Sequence, residues 1–242
     1  MRLAAAVVLF AALSGASASA ADRALVELIG YSPDGRYFTY EEFGTHDGSG
    51  APFAEITIVD LDADPDPVVQ PPTFAAEGGE DLLLRPIRSE ARDRAQTELD
   101  RLAITEPAQY VSMVGDGVTG ADGEALRFGQ PGSGPIGEVY DDRLVTLESF
   151  PTESTTGCDT TYYPDERALG LALNVWVGGV RRLLHSDPLQ LPAWRGCPID
   201  YRLHAVVLPY NGDISRAVTL ISVYTTGWEG ADRTFMAIAL GK

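Results

Sequence analysis

Near the C-terminal end, the runs AVTLISV (217–223) and TFMAIAL (234–240) are apolar almost throughout. A strand with one face in water alternates polar and apolar residues. A strand that is apolar on both faces needs protein on both. The two runs are joined by YTTGWEGAD (224–232), a Gly-rich loop with acidic residues. This hairpin therefore has to lie inside a stack of sheets, either as one of several stacked blades or as the middle of a sandwich.

A second hairpin is legible near the other end. Ser32-Pro33-Asp34-Gly35 has turn chemistry in order. Pro33 presets φ, Asp34 can bond its own backbone, and Gly35 accepts positive φ. Arg36 to Phe43 is rich in aromatic and β-forming residues. The loop GTHDGSGAP follows, and then FAEITIVDLD, in which Ile56 and Ile58 share one face of a strand. Weaker echoes recur. Pro164-Asp165 repeats Pro33-Asp34. In RALGLALN, Leu169, Leu171 and Leu173 alternate with Ala168, Gly170 and Ala172, so one face is bulky and the other small. VGGV turns this strand toward RRLLHSD, RLVTLESF (143–150) is a further strand, and Asn211-Gly212-Asp213 is a turn.

One segment breaks the pattern. Ile87, Ala91, Ala95, Leu99 and Leu102 recur at spacings of four and three, which predicts an amphipathic helix near 86–103 with Pro86 as its first residue. Arg88, Arg92, Arg94 and Arg101 lie off that stripe among Glu90, Asp93 and Glu98, which reads as a solvated face with local ion pairs. The flanking stretches DADPDPVVQPPTFAAEGGED and GDGVTGADGEALRFGQPGSGPIGE read as loops.

The first twenty residues are laid out as a secretory signal peptide: Arg2, an apolar run from Leu3 to Leu13, then small residues ending Ala18-Ser19-Ala20. The apolar run falls short of the about 20 residues that a membrane span needs. Cleavage near Ala20 leaves residues 21–242 as a single mainly-β domain of about 220 residues, with no transmembrane segment. In an exported chain the only two cysteines, Cys158 and Cys197, are expected to form one disulfide. The net charge is −17, a field that repels nucleic acid and anionic lipid and suits solubility, cationic ligands or metal ions.

Motifs of known chemistry are missing. The chain has neither H-E-x-x-H nor G-x-S-x-G, no Walker loop, and no G-x-G-x-x-G opening a helix. The run DLDADPD places Asp60, Asp62, Asp64 and Asp66 like the start of a calcium loop. However, Pro65 and Pro71 stand where an EF-hand needs Gly and Glu, so no metal site is assigned and the run reads as an acidic strand end. No cofactor and no catalytic residue are predicted. If the first and last hairpins are alike, His46 and Asp47 of one loop join Trp228, Glu229 and Asp232 of the other at one rim, a candidate binding face.

The fragment YSPDGRYFTYEEF…EITIVDLD resembles the WD40-like repeat of TolB-type β-propellers. Over nearly all of the mature chain the sequence resembles a bacterial family of predicted secreted proteins, DUF2259, in the signal peptide, GYSPDGRYFTYEEFG with EITIVDLD, RGCP (195–198) and GWEGADRTFMAIAL. That resemblance implies secretion and brings no activity. The fold expected is mainly β, with antiparallel blade-like hairpins forming a small or incomplete propeller or a two-sheet sandwich, plus one inserted helix. The function expected is non-enzymatic binding of an envelope protein or small ligand through loops in the periplasm or outside the cell. The alternatives are an envelope-directed hydrolase using loop carboxylates such as Glu229 and Asp232, and a calcium-stabilised structural module.

Overall fold

The structure is a computed structural model that describes residues 21–63, 70–115, 122–158, 165–228 and 230–241. The first strands are β1 (Leu25–Tyr31), β2 (Tyr37–Thr45), β3 (Pro52–Asp60) and β4 (Thr73–Glu77), followed by helix α1 (Leu84–Arg101). Then come β5 (Ala108–Met113), β6 (Ala125–Pro131), β7 (Val139–Pro151), β8 (Glu153–Ser154), β9 (Leu169–Val177), β10 (Val180–Ser186) and β11 (Gln190–Leu191). The chain ends with β12 (Pro198–Pro209), β13 (Val218–Thr226) and β14 (Ala231–Ala239).

These strands build three four-stranded antiparallel sheets, ordered β1-β2-β3-β4, β10-β9-β7-β6 and β14-β13-β12-β5, and a short parallel ribbon of β8 with β11. The sheet containing β13 is the middle layer. Its Ala205, Val207, Val218, Leu220 and Phe235 pack on Tyr31, Phe38 and Tyr40 of the β1–β4 sheet. Its Leu203, Val206, Leu208, Ile221, Val223 and Ile238 pack on Leu126, Phe128, Val145, Leu147, Leu171, Leu173 and Val175 of the third sheet. Along β13 alternate residues serve opposite cores, which is why the run is apolar almost throughout. On β12 a register shift between Leu203 and Ala205 resets the alternation, so that Tyr201 and Leu203 share a core with Val206 and Leu208.

Helix α1 covers the far face of the β1–β4 sheet. Ala95, Leu99 and Leu102 meet Ile56 and Ile58, and Ile87 and Ala91 meet Ala54 and Ala76. The layers therefore run helix, sheet, sheet, sheet. Among the described residues this stack closes into neither a barrel nor a propeller. The expected blade-like hairpins are present, but they form a layered sandwich.

Several local expectations shift. The helix begins at Leu84, two residues before Pro86. Proline is tolerated there because the first-turn N–H groups have no partner within the helix. Arg94 pairs with Glu90 and Arg101 with Glu98 along the helix, but Arg88 and Arg92 reach out of it to Glu41 on β2, at 2.8 and 3.2 Å. The Glu41 side chain is 1% exposed, and the Arg88 guanidinium stacks on Phe43 at 3.7 Å and also binds Glu27. Part of the Arg cluster thus docks the helix. Strands β4 and β6 lie in stretches read as loops, because each pairs at a sheet edge and carries too few apolar residues to stand out.

Candidate functional site

The predicted rim is built by three pieces of chain: the turn between β2 and β3, the turn between β13 and β14, and the segment just before β1. That segment runs beside β14. Ala24 N–H donates to Arg233 O at 3.1 Å and Arg233 N–H donates to Asp22 O at 2.7 Å, while the buried Arg233 guanidinium also donates to Ala24 O. Asp22 is thereby delivered to the rim, and each of its polar groups is used. Its N–H donates to Asp232 Oδ1 at 2.8 Å, its Oδ1 accepts Asp47 N–H at 2.7 Å, and its Oδ2 lies 2.5 Å from His46 Nδ1.

The His46 ring stacks on Phe53, with centroids 4.7 Å apart, and its Nε2 lies 3.7 Å from Glu77 of β4. Burial raises the Asp232 carboxyl above its ordinary value and the Asp22 charge adds to this, against the N–H of Asp22 and the nearby charges of His46 and Arg23. His46, Asp47 and Asp232 thus converge, with Asp22 as the link. Sequence reasoning missed Asp22 and Glu77: neither belongs to the two hairpin turns, and no local motif marks them.

Trp228 stands at the tip of the β13–β14 turn, 73% exposed. The turn is closed by Gly227 N–H to Gly230 O at 2.9 Å. The Asp232 carboxylate lies against Gly227, where an added Cβ would come within 2.4 Å of Oδ1. Glu229 lies outside the described residues, as do Asp64, Asp66 and residues 1–20. Of the acidic run, Asp60 pairs with Arg36 at 2.7 Å and Asp62 with Arg216 at 2.6 Å. Among the described residues no group of three or more His, Cys, Asp or Glu side chains is placed to hold a metal ion.

Two other polar features are internal. Cys158 and Cys197 form a disulfide with Cα atoms 5.3 Å apart. Beside it, Arg195 makes a two-pronged contact with Asp187, both distances 3.0 Å, and donates to Tyr201 Oη at 2.7 Å. Asp187 also accepts Leu171 N–H at 2.9 Å and lies 2.9 Å from His185 Nε2. Burial pushes the Asp187 carboxyl up, but the bonds to His185 and Arg195 and the Arg195 charge outweigh it, so the group sits below its ordinary value. This cluster ties β9, β10 and β12 together behind the disulfide.

The second feature is Glu42, between the β1–β4 sheet and the middle sheet. Burial raises its carboxyl to about 8, against the N–H of Phe235 that it accepts at 2.9 Å. On the surface, a shallow groove of about 360 Å³ lies at the C-terminal end of α1, over Ile29, Leu99 and Ile104.

Among the described residues no helix is long and apolar enough to cross a membrane. Neither the curated proteins nor the solved structures give a match to this chain. The family described as predicted secreted protein (DUF2259) matches residues 39–240, a span that takes in His46, Asp232 and both cysteines. The match covers most of the chain, which therefore belongs to the DUF2259 family of predicted secreted proteins.

Proposed function

We propose that this is an exported, periplasmic or secreted binding protein that loses its first twenty residues and engages a partner through the rim of Asp22, His46, Asp47, Trp228 and Asp232. The observation that carries the reading is Trp228, a large aromatic side chain 73% exposed at the tip of a short turn. Aromatic side chains on rigid turns supply much contact area at small entropic cost. Three things support the rim as the contact face. Its turns are anchored on two packed sheets, so their positions are set before a partner arrives. Its side chains are cross-linked through Asp22. Its acids, with Glu77 at the edge, select a partner bearing a basic patch.

The test is capture from an envelope extract with the purified mature protein as bait, beside Trp228→Ala. The expected outcome is a basic partner held by the wild type, lost from Trp228→Ala, and weakened by salt as surface charges are screened. Identical captured sets from both baits, with both proteins folded, would remove the rim as the binding face.

A further inference from the structure

The segment that feeds the rim raises a question of chain entry. Chain ends are poorly ordered unless something ties them down. Here the tie is dense and begins at residue 22: two backbone hydrogen bonds to Arg233, one to Asp232 Oδ1, and the Asp22 side chain on His46 and Asp47 N–H. The seat starts two residues after Ala20, where the small residues Ala18-Ser19-Ala20 mark a processing site.

We propose that Ala21 is the first residue of the exported protein and that its new α-ammonium binds among the carboxylates of Asp22 and Asp232, so that leader removal completes the rim. The proposal rests on the export reading given above. The step is a hydrolysis by a leader-processing peptidase. One water is consumed, the Ala20–Ala21 peptide bond breaks, Ala20 leaves with a carboxylate, and Ala21 keeps an amine that is protonated near neutral pH.

Before cleavage the nitrogen of Ala21 is an amide without charge. After cleavage a cation stands one residue from Asp22 N, which itself lies 2.8 Å from Asp232 Oδ1. The ionisable groups on the elements that meet at Asp22 are Asp22, Arg23, Asp232 and Arg233 on the paired segments, His46 and Asp47 on the β2–β3 turn, and Glu77 on β4. Acids outnumber bases in this set, and Asp232 is held above its ordinary value by burial and by Asp22. A further positive charge favours the ionised carboxylates and so opposes that rise.

Intact mass and N-terminal sequencing of the exported protein come first. A start at Ala21 is expected; an uncleaved chain overturns both the export reading and this site, and a start elsewhere overturns the site alone. Next, a chain with a free amine at Ala21 is melted beside the same chain carrying Gly-Ser in front. The free-amine form is expected to melt higher by about 2–4 °C, and the difference is expected to vanish in Asp232→Asn. Equal melting of the two forms, or a difference that persists in Asp232→Asn, overturns the ammonium site while leaving export standing.

Should Asp232→Asn fail to fold, ¹³C-methyl labelling of the wild-type amines replaces it. Lys242 is the only lysine, so the α-amine signal is unambiguous. An α-amine pKa above the ordinary about 7.7–8.0 supports the site, and one at or below that range overturns it.

Discussion

The Glu42 carboxylate accepts the backbone N–H of Phe235 at 2.9 Å, joining β2 to β14 across a seam packed on either side by apolar side chains. Glu55 faces Glu42 from the neighbouring strand and adds to the rise, while the Arg233 charge opposes it. The folded-state value of Glu42 is raised to about 8 from the ordinary 4.5, chiefly by burial.

The consequence for stability has a definite sign. Between those two values the folded protein holds a proton that the unfolded chain has lost, so the unfolding free energy falls as pH rises. The contribution is full below about pH 4.5 and is gone above about pH 8. Melting temperature followed from pH 5 to pH 9 should decline across that window. Glu42→Gln should flatten the decline and melt higher than wild type at pH 9. A profile that is unchanged in Glu42→Gln would show that this carboxyl is not the buried titrating group.

The disulfide closes a sequence separation of 39 residues. In the chain-entropy model a loop of that size contributes about 4 kcal/mol, or roughly 10 °C in melting temperature for a chain of this length. Thermal melts with and without reductant should show that drop. The Cys158→Ser, Cys197→Ser double variant should melt like the reduced wild type and be insensitive to reductant.

Asp187 and Arg195 are a buried ion pair, with side chains 0% and 3% exposed. Removing one partner of such a pair strands the other charge, at a cost of about 3–5 kcal/mol. Asp187→Ala should therefore lower the denaturant midpoint sharply. Joint replacement of Asp187 and Arg195 by apolar residues should restore part of the loss. A Asp187→Ala change of less than about 1 kcal/mol would mean that the pair behaves as an exposed one.

Helix α1 ends in a reverse turn with Ala103 at φ 52°, a left-handed conformation that costs a side-chain-bearing residue about 1–2 kcal/mol. The turn is closed by Ala103 N–H to Asp100 O and Ile104 N–H to Leu99 O, and Ile104 packs in the same cluster as Leu99. Glycine occupies this position without the steric penalty. Ala103→Gly should raise stability by about 0.5–1 kcal/mol, read as a higher urea midpoint with an unchanged slope. A lower midpoint would contradict the account of this cap.

Some of this architecture is written locally. The apolar runs at 217–223 and 234–240 required cover on both faces because side chains alternate along a strand, and those strands form part of the middle sheet. The stripe from Ile87 to Leu102 specified a helix by its period, and Ser32-Pro33-Asp34-Gly35 specified a turn by its backbone chemistry. The number of layers was not local information. Blades of a propeller and layers of a sandwich share hairpin patterns, and only the packing of Tyr31, Phe38 and Tyr40 on one side and Leu171 and Leu173 on the other separates them.

The rim divides the same way. His46 and Asp47 were legible as turn residues, because turns bring polar side chains to the ends of strands; Asp232 was read into the neighbouring loop, but it is the second residue of β14, paired with Thr225. Their junction through Asp22 was not legible, since it depends on residues 22–24 lying beside β14 some 210 positions away in the chain. The amino-acid order determined which segments are strands, which is helix, and which faces must be hidden. Tertiary packing alone decided which distant charges meet, because contacts across long separations follow from how sheets stack and leave no period in the sequence.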